Sequence, residues 1–169
     1  MEKVTIGARE ILYPLPTVLV GANVDGKPNF SAYAWCGIVN SNPPMLSVSF
    51  QHPRHTLKGV KQNGSFSVNI PSIDLVKETD YCGIVSGRNT NKVDDCNFDV
   101  FYGKLPNTPM ISECPINLEC NSVHMLNLGS HEMVVGRIEE VHVTESCLTD
   151  GDIDIDKVKP FLWAILPNQ

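Results

Sequence analysis

Three polar clusters in this sequence carry residue types that bind anions or move protons. His52-Pro53-Arg54-His55-Thr56 stands at the start of a predicted helix. A helix N-terminus offers free amides and the positive end of the dipole, and arginine can grip phosphate through two parallel N–H groups. The cluster therefore reads either as an anion site or as a solvated first turn. His52 and His55 do not suggest a metal, because no third ligand stands at a telling spacing. Val85-Ser86-Gly87-Arg88-Asn89-Thr90-Asn91-Lys92 is a glycine-bearing loop with two cations. It lacks the GxxxxGK[ST] phosphate-loop pattern and, taken alone, is a solvated connection. Gly129-Ser130-His131-Glu132 sets a histidine between two strand patterns. An imidazole suits proton or hydride-transfer chemistry at neutral pH, although a histidine at a hairpin is also an ordinary exposed polar residue.

A fourth segment, Asn29-Phe30-Ser31-Ala32-Tyr33-Ala34-Trp35-Cys36-Gly37, interleaves small side chains with large aromatics. Such a strand can offer backbone amides to a planar polar ligand while Tyr33 or Trp35 packs on its face. The same pattern also describes a core strand with aromatic filling. Other chemistries lack their signatures. There is no GxSxG elbow, no GxGxxG dinucleotide turn and no paired CxxC. The acidic run Asp150 to Asp156 misplaces the glycine of a calcium loop and has no closing glutamate. Six cysteines without paired spacing, in a chain with no signal-peptide pattern, read as free thiols of a cytoplasmic protein.

The elements that must position these clusters are mainly β. Thr17 to Val24 is rich in branched residues, Asp25-Gly26 is a hairpin signal, and Asn29 to Trp35 is the returning strand. Met45 to Phe50 and Phe66 to Ile70 alternate with period two. Pro53 to Asn63 and Ser72 to Ile84 read as helices, the first ended by Gly64 and the second capped by the Ser72 hydroxyl, which accepts from the Leu75 amide. Val85 to Pro115 is mixed. Ile116 to Leu126 and Glu132 to Val143 are long strands, with Leu118, Cys120, Ser122 and His124 predicted on one face. The fold class is mainly β with a few helices, in a closed or nearly closed antiparallel barrel. With 169 residues, the chain fits one domain over 1–169. A net charge of −6 excludes nucleic acid and anionic membrane surfaces as partners, and no apolar run is long enough to span a bilayer.

In series, these pieces resemble the flavin reductase-like family, in particular its flavoredoxin branch. The resemblance rests on Asp25-Gly26-Lys27-Pro28-Asn29-Phe30, Ala34-Trp35-Cys36-Gly37, His55-Thr56, Phe66 to Pro71, Asp80-Tyr81-Cys82-Gly83, Ser86-Gly87, Glu113-Cys114-Pro115 and Gly129-Ser130-His131. It implies an FMN-binding split β-barrel working as a homodimer, with FMN near the subunit interface. It implies NAD(P)H, or a redox protein partner, as the source of electrons. An FMN-binding electron carrier with no direct nicotinamide reaction would share the same contacts. The resemblance puts Asn29, Phe30, Ser31, Ala32, Tyr33 and Trp35 along the isoalloxazine ring, with Ser47, Val48 and Ser49 beneath it. Arg54, His55 and Thr56 match the phosphate end. Ser86, Gly87, Arg88 and Lys92 match a loop closing over the phosphate or ribityl chain, where Asn91 replaces a family aspartate. His131 matches a position near the approaching nicotinamide, with Ser130 replacing an aspartate. The resemblance fades after Lys159-Pro160-Phe161-Leu162, so part of the pocket wall or dimer surface is expected to be built differently.

Overall fold

In the computed structural model, which describes residues 1–164, the hairpin signal at Asp25-Gly26 acts as its chemistry demands. Both residues have positive φ, 51° and 79°. That is the backbone of the tight turn that matches strand twist. The turn joins β1 (Val18–Val24) to β2 (Lys27–Tyr33), with Val24 opposite Lys27. The sheet continues with β3 (Cys36–Ser41), β4 (Pro44–Gln51), β5 (Ser65–Ile70), β6 (Ile116–Asn127) and β7 (His131–Val143). These seven strands are ordered β2-β1-β5-β6-β7-β4-β3, antiparallel throughout. The β3 edge strand does not stand out in the sequence, because its side chains lie largely in solvent: Ile38 is 70% and Val39 52% exposed.

β2 and β3 occupy opposite edges of this sheet, yet only Ala34 and Trp35 separate them in the chain. Across a flat sheet six strand spacings would set them about 29 Å apart. The step from Tyr33 to Cys36 reaches at most about 11 Å. The sheet must therefore roll until its edges meet, which makes it a split barrel. The Ser49 amide donates to the Trp35 carbonyl at 2.9 Å beside that seam. Inside the roll, Val20, Val48, Phe50, Phe66 and Val134 are fully buried. Phe50 packs edge-on to Phe66, and Tyr33 lies 4.7 Å from Phe50 between ring centres.

Helix α1 (His55–Asn63) buries Leu57 and Val60, as their spacing predicts, and ends at Gly64 with φ 65°. The second predicted helix begins differently. A short 3-10 turn, Ile73–Leu75, precedes α2 (Val76–Ile84), and the Ser72 hydroxyl accepts from Asp74 instead of Leu75. The tighter turn brings the nearer amide to the cap. The mixed segment contains α3 (Lys92–Asp95) and a two-residue ladder of Val100–Phe101 with Met110–Ile111. It builds a second apolar cluster around Phe30, Phe98 and Ile111. Between β6 and β7 the register shifts so that Val123 has no opposite residue. This bulge breaks the predicted continuous face: Cys120 is buried while His124 is exposed. Near the end lie α4 (Ile155–Val158) and Leu162–Trp163, which pairs antiparallel with Leu15–Pro16.

Gly21 marks how closely these layers pack. A Cβ there would come within 2.5 Å of the Phe30 ring and the Ser67 hydroxyl and 2.6 Å of the Pro109 carbonyl. We expect Gly21→Ala to destabilise the protein by about 1–3 kcal/mol. A lowered urea midpoint checks this, and an unchanged midpoint would show that the layers can separate.

Candidate functional site

At the N-terminus of α1, β2, the α1 entry and the Val85–Asn91 loop enclose a cleft of about 490 Å³. Asn29, Ser31, Arg54, His55, Thr56, Ser86, Gly87, Arg88 and Lys92 all line it, so three sequence clusters far apart in the chain converge here. The lining holds four basic residues, Arg54, His55, Arg88 and Lys92, and no aspartate or glutamate. The first turn of α1 also lacks acidic residues. Its leading amides have no partner within the helix and add to the positive end of the dipole.

Local bonds fix this arrangement. The buried Asn29 side chain donates to the Thr56 hydroxyl at 2.8 Å, tying β2 to α1. Gly87 passes so close to Asn29 that a Cβ would overlap the amide oxygen, so the loop can lie there only as glycine. Lys92 is only 3% exposed, and its Nζ donates to the carbonyls of Phe30 at 3.0 Å and Cys82 at 2.8 Å. An ammonium has three N–H groups, so one remains for the cleft. Burial lowers the Lys92 pKa from its usual value, and the Arg54 charge acts in the same direction. Asn91 is the N-cap of α3: its side-chain oxygen accepts from the Val93 amide at 3.2 Å. It thus holds the turn from which Lys92 projects. Arg54 is partly committed, donating from Nη1 to the Gly83 carbonyl at 2.7 Å. His55 is held below its usual value by burial first, then by the charges of Arg88 and Lys58.

A wider cleft of about 990 Å³ adjoins the first and shares Gln51, Arg54 and Ile84 with it. Ala32, Tyr33, Trp35, Ser49 and His131 line it. Trp35 and His131 stack with centroids 4.6 Å apart and planes 26° apart. The Ser130 hydroxyl lies 2.8 Å from His131 Nδ1, so the residue standing where an aspartate was expected still makes a polar contact with the imidazole. His52 Nε2 lies 2.7 Å from the Gly129 carbonyl and pins the hairpin that carries His131. Thr17 and Thr79 also line this cleft, with buried hydroxyls that have no hydrogen-bond partner among the described residues.

Three predicted positions reach neither cleft. Phe30 is fully buried and meets Phe98 edge-on at 6.1 Å, because strand alternation turns it away from Asn29 and Ser31. Phe30 serves the site only through its carbonyl, on Lys92. Val48 is fully buried in the barrel core. Ser47 is half-buried in the middle of β4, paired with Val135 and Gly37. The sequence reading passed over Gln51, Thr17, Thr79 and the wall formed by Phe161, Leu162 and Trp163. Gln51 had a usable signal, since it ends a strand just before His52. The final wall had none, because it depends on a pairing across almost the whole chain. Leu166 to Gln169, where the resemblance fades, lie outside the described residues.

A match to the family described as flavin reductase like domain runs over residues 9–162, and the chain belongs to the flavin reductase-like family. Within that class its likeness is to flavoredoxins. It is 44% identical to the flavoredoxin of Methanosarcina acetivorans, with a TM-score of 0.93 over 98% of this chain and 88% of that one. It is 37% identical to flavoredoxin of Desulfovibrio vulgaris (Miyazaki F), with a TM-score of 0.90 over 96% and 88%. An uncharacterized protein of Archaeoglobus fulgidus is 34% identical over 157 residues, 92% of this chain and 87% of its own length. No helix among the described residues is long and apolar enough to cross a membrane.

Two outcomes test the cationic cleft. Inorganic phosphate should raise the His55 pKa toward or above the ordinary 6.5, because an anion offsets the burial and the neighbouring cations that depress it. Ring-proton NMR titration reads this, and an unmoved His55 would place the anion elsewhere. Lys92→Met should lower stability by about 2–4 kcal/mol, since two buried carbonyls lose their donor. Urea unfolding measures the loss.

Proposed function

We propose that the protein is an FMN-binding flavoprotein oxidoreductase that takes electrons from NAD(P)H and works as a homodimer in the cytoplasm. The observation that carries the reading is the smaller cleft, lined by four basic residues and no carboxylate, opening into a wider cleft with aromatic walls. This matches a ligand with a phosphate at one end and a planar ring at the other. The unpartnered hydroxyls of Thr17 and Thr79 in the wider cleft suit the polar edge of such a ring.

Bound FMN would supply reversible two-electron chemistry. The protein's own groups then bind and orient. Arg88 and the first amides of α1 hold the phosphate, and Lys92 adds its remaining N–H. Asn29 and Thr56 brace β2 against α1, fixing the distance between the phosphate and ring ends. Trp35 and His131 form a stacked aromatic wall of the wider cleft, where a flat electron donor could stack. Homodimer formation finds support in the exposed apolar residues Ile38 and Val39 on the β3 edge. The cytoplasmic reading finds support in six free thiols and no disulfide.

One observation favours the carrier reading as a second possibility. The wider cleft contains Glu10 and Asp80 but only one lysine or arginine, Arg54. That is a poor seat for the pyrophosphate of a dinucleotide.

Purified protein should be yellow or should take up FMN. Arg88→Ala should weaken FMN binding about tenfold, the loss of one charged contact, and leave riboflavin binding unchanged. Equal weakening of both would refute the phosphate assignment. Anaerobic mixing with NADH or NADPH should bleach the flavin. A flavin that stays oxidised with both, yet is reduced by a low-potential protein donor, would establish the carrier reading.

A further inference from the structure

His52 stands beside Arg54 and His55 in the sequence but lines neither cleft. It follows the end of β4, where Gln51 pairs with His131, the first residue of β7. Before that pair the chain turns through Leu128, Gly129 and Ser130, with Gly129 at φ 91°. The turn holds itself through two amides. Leu128 donates to the His131 carbonyl at 2.8 Å, and Gly129 donates to Asn127 Oδ1 at 3.0 Å. From outside the turn, His52 Nε2 reaches the Gly129 carbonyl at 2.7 Å. A carbonyl only accepts, so this nitrogen carries the proton. The other ring nitrogen, Nδ1, lies 3.8 Å from Glu132 Oε2, and Lys61 Nζ holds the same oxygen at 2.5 Å. Alternation along β7 sends neighbouring side chains to opposite faces, so Glu132 meets Lys61 of α1 while His131 meets Trp35 in the wider cleft.

We propose that His52 is a positioning residue for the aromatic wall: its hydrogen bond to the Gly129 carbonyl seats His131 on Trp35. Gly129 lies two residues before His131, and the Ser130 hydroxyl between them contacts His131 Nδ1 at 2.8 Å. Holding the turn at Gly129 therefore sets both where the imidazole begins and which nitrogen faces Ser130. Strand pairing alone leaves this end loose, since His131 is the last residue that β7 pairs with β4. The Glu132 carboxylate, fixed by Lys61, borders the Nδ1 side of the His52 ring and leaves Nε2 for the turn. His52 thus acts on the binding of a flat electron donor at the wall without touching donor or cofactor.

The effect on the donor rests on the proposed flavin function; the seating of His131 does not. Proton NMR of the full-length protein reads the seating directly, because an imidazole stacked 4.6 Å from an indole has its ring protons moved upfield. The His131 signals are identified by their loss in His131→Gln. His52→Ala should move them toward the positions of an unstacked histidine and leave the urea midpoint nearly unchanged, since His52 is exposed. His52→Gln, whose side-chain amide can still donate to the carbonyl, should restore them. In the FMN-loaded protein, His52→Ala should raise the KM for NADH or NADPH about fivefold, the worth of one hydrogen bond, with kcat and FMN affinity unchanged. The proposal is overturned if the His131 signals stay in place in His52→Ala, if the Ala and Gln variants shift them alike, or if the signals move and KM does not. A lowered urea midpoint that His52→Gln fails to restore would mark a role in folding and would also overturn it. A protein whose flavin neither nucleotide reduces would defeat the donor reading alone, and the NMR shifts would still decide the seating.

Discussion

The two-residue step through Ala34 and Trp35 is the constraint on which the rest of the structure depends. It joins opposite edges of a seven-stranded sheet, so the sheet cannot stay open. Rolling it creates an interior for Phe50 and Phe66, and it brings the end of β2 beside the end of β4. Both clefts lie around that junction, since β2 supplies Asn29, Ser31 and Tyr33 while Gln51 closes β4. Trp35 is thus both the linker of the barrel and a wall of its wider cleft. A longer connection would relax the roll and separate the residues that line the site.

The cationic cleft gathers positive charge without gathering counter-charges. Carbonyl oxygens take the place of carboxylates: Lys92 rests on Phe30 and Cys82, and Arg54 on Gly83. Carbonyls position a cation while leaving its charge uncompensated, so an arriving anion meets the field undiminished. His55 is depressed by burial first, and the charges of Arg88, Lys58 and Lys92 add to that. Acidic partners do occur nearby, as with Asp25 on Lys58, but only on the solvent side, where screening is strong.

Local signals in the sequence translated well into structure. Asp25-Gly26 and Asn63-Gly64 behave as turn and stop because glycine chemistry is decided within a few residues. Arg54, His55 and Thr56 line one cleft with Ser86, Gly87, Arg88 and Lys92. Failures arise where a partner strand or a bulge decides the outcome. β3 lacked a signal because an edge strand need not bury its side chains. The predicted face of β6 ended at Val123, where a register shift belongs to the pairing with β7 and leaves no mark on β6 alone. Phe30 and Val48 were placed at the site by their neighbourhood, whereas alternation sends them into the packed interior. The family resemblance compensated for what spacing could not say, by joining clusters that lie far apart in the chain.

The pairing of Leu15–Pro16 with Leu162–Trp163 has a temporal meaning. Its contacts close almost the entire chain into one loop, the most entropically costly closure in the molecule. Everything lining the cationic cleft lies at or before Lys92, so its residues all precede β6 and β7 in the sequence. The wider cleft gains its last wall only when Trp163 has emerged. A short ladder with exposed side chains, Leu162 at 63% and Trp163 at 42%, is also among the first parts to open again. The cationic cleft thus draws its lining from the early part of the sequence, but β4, which leads into it, is held by β7, so the barrel must close before either cleft is complete.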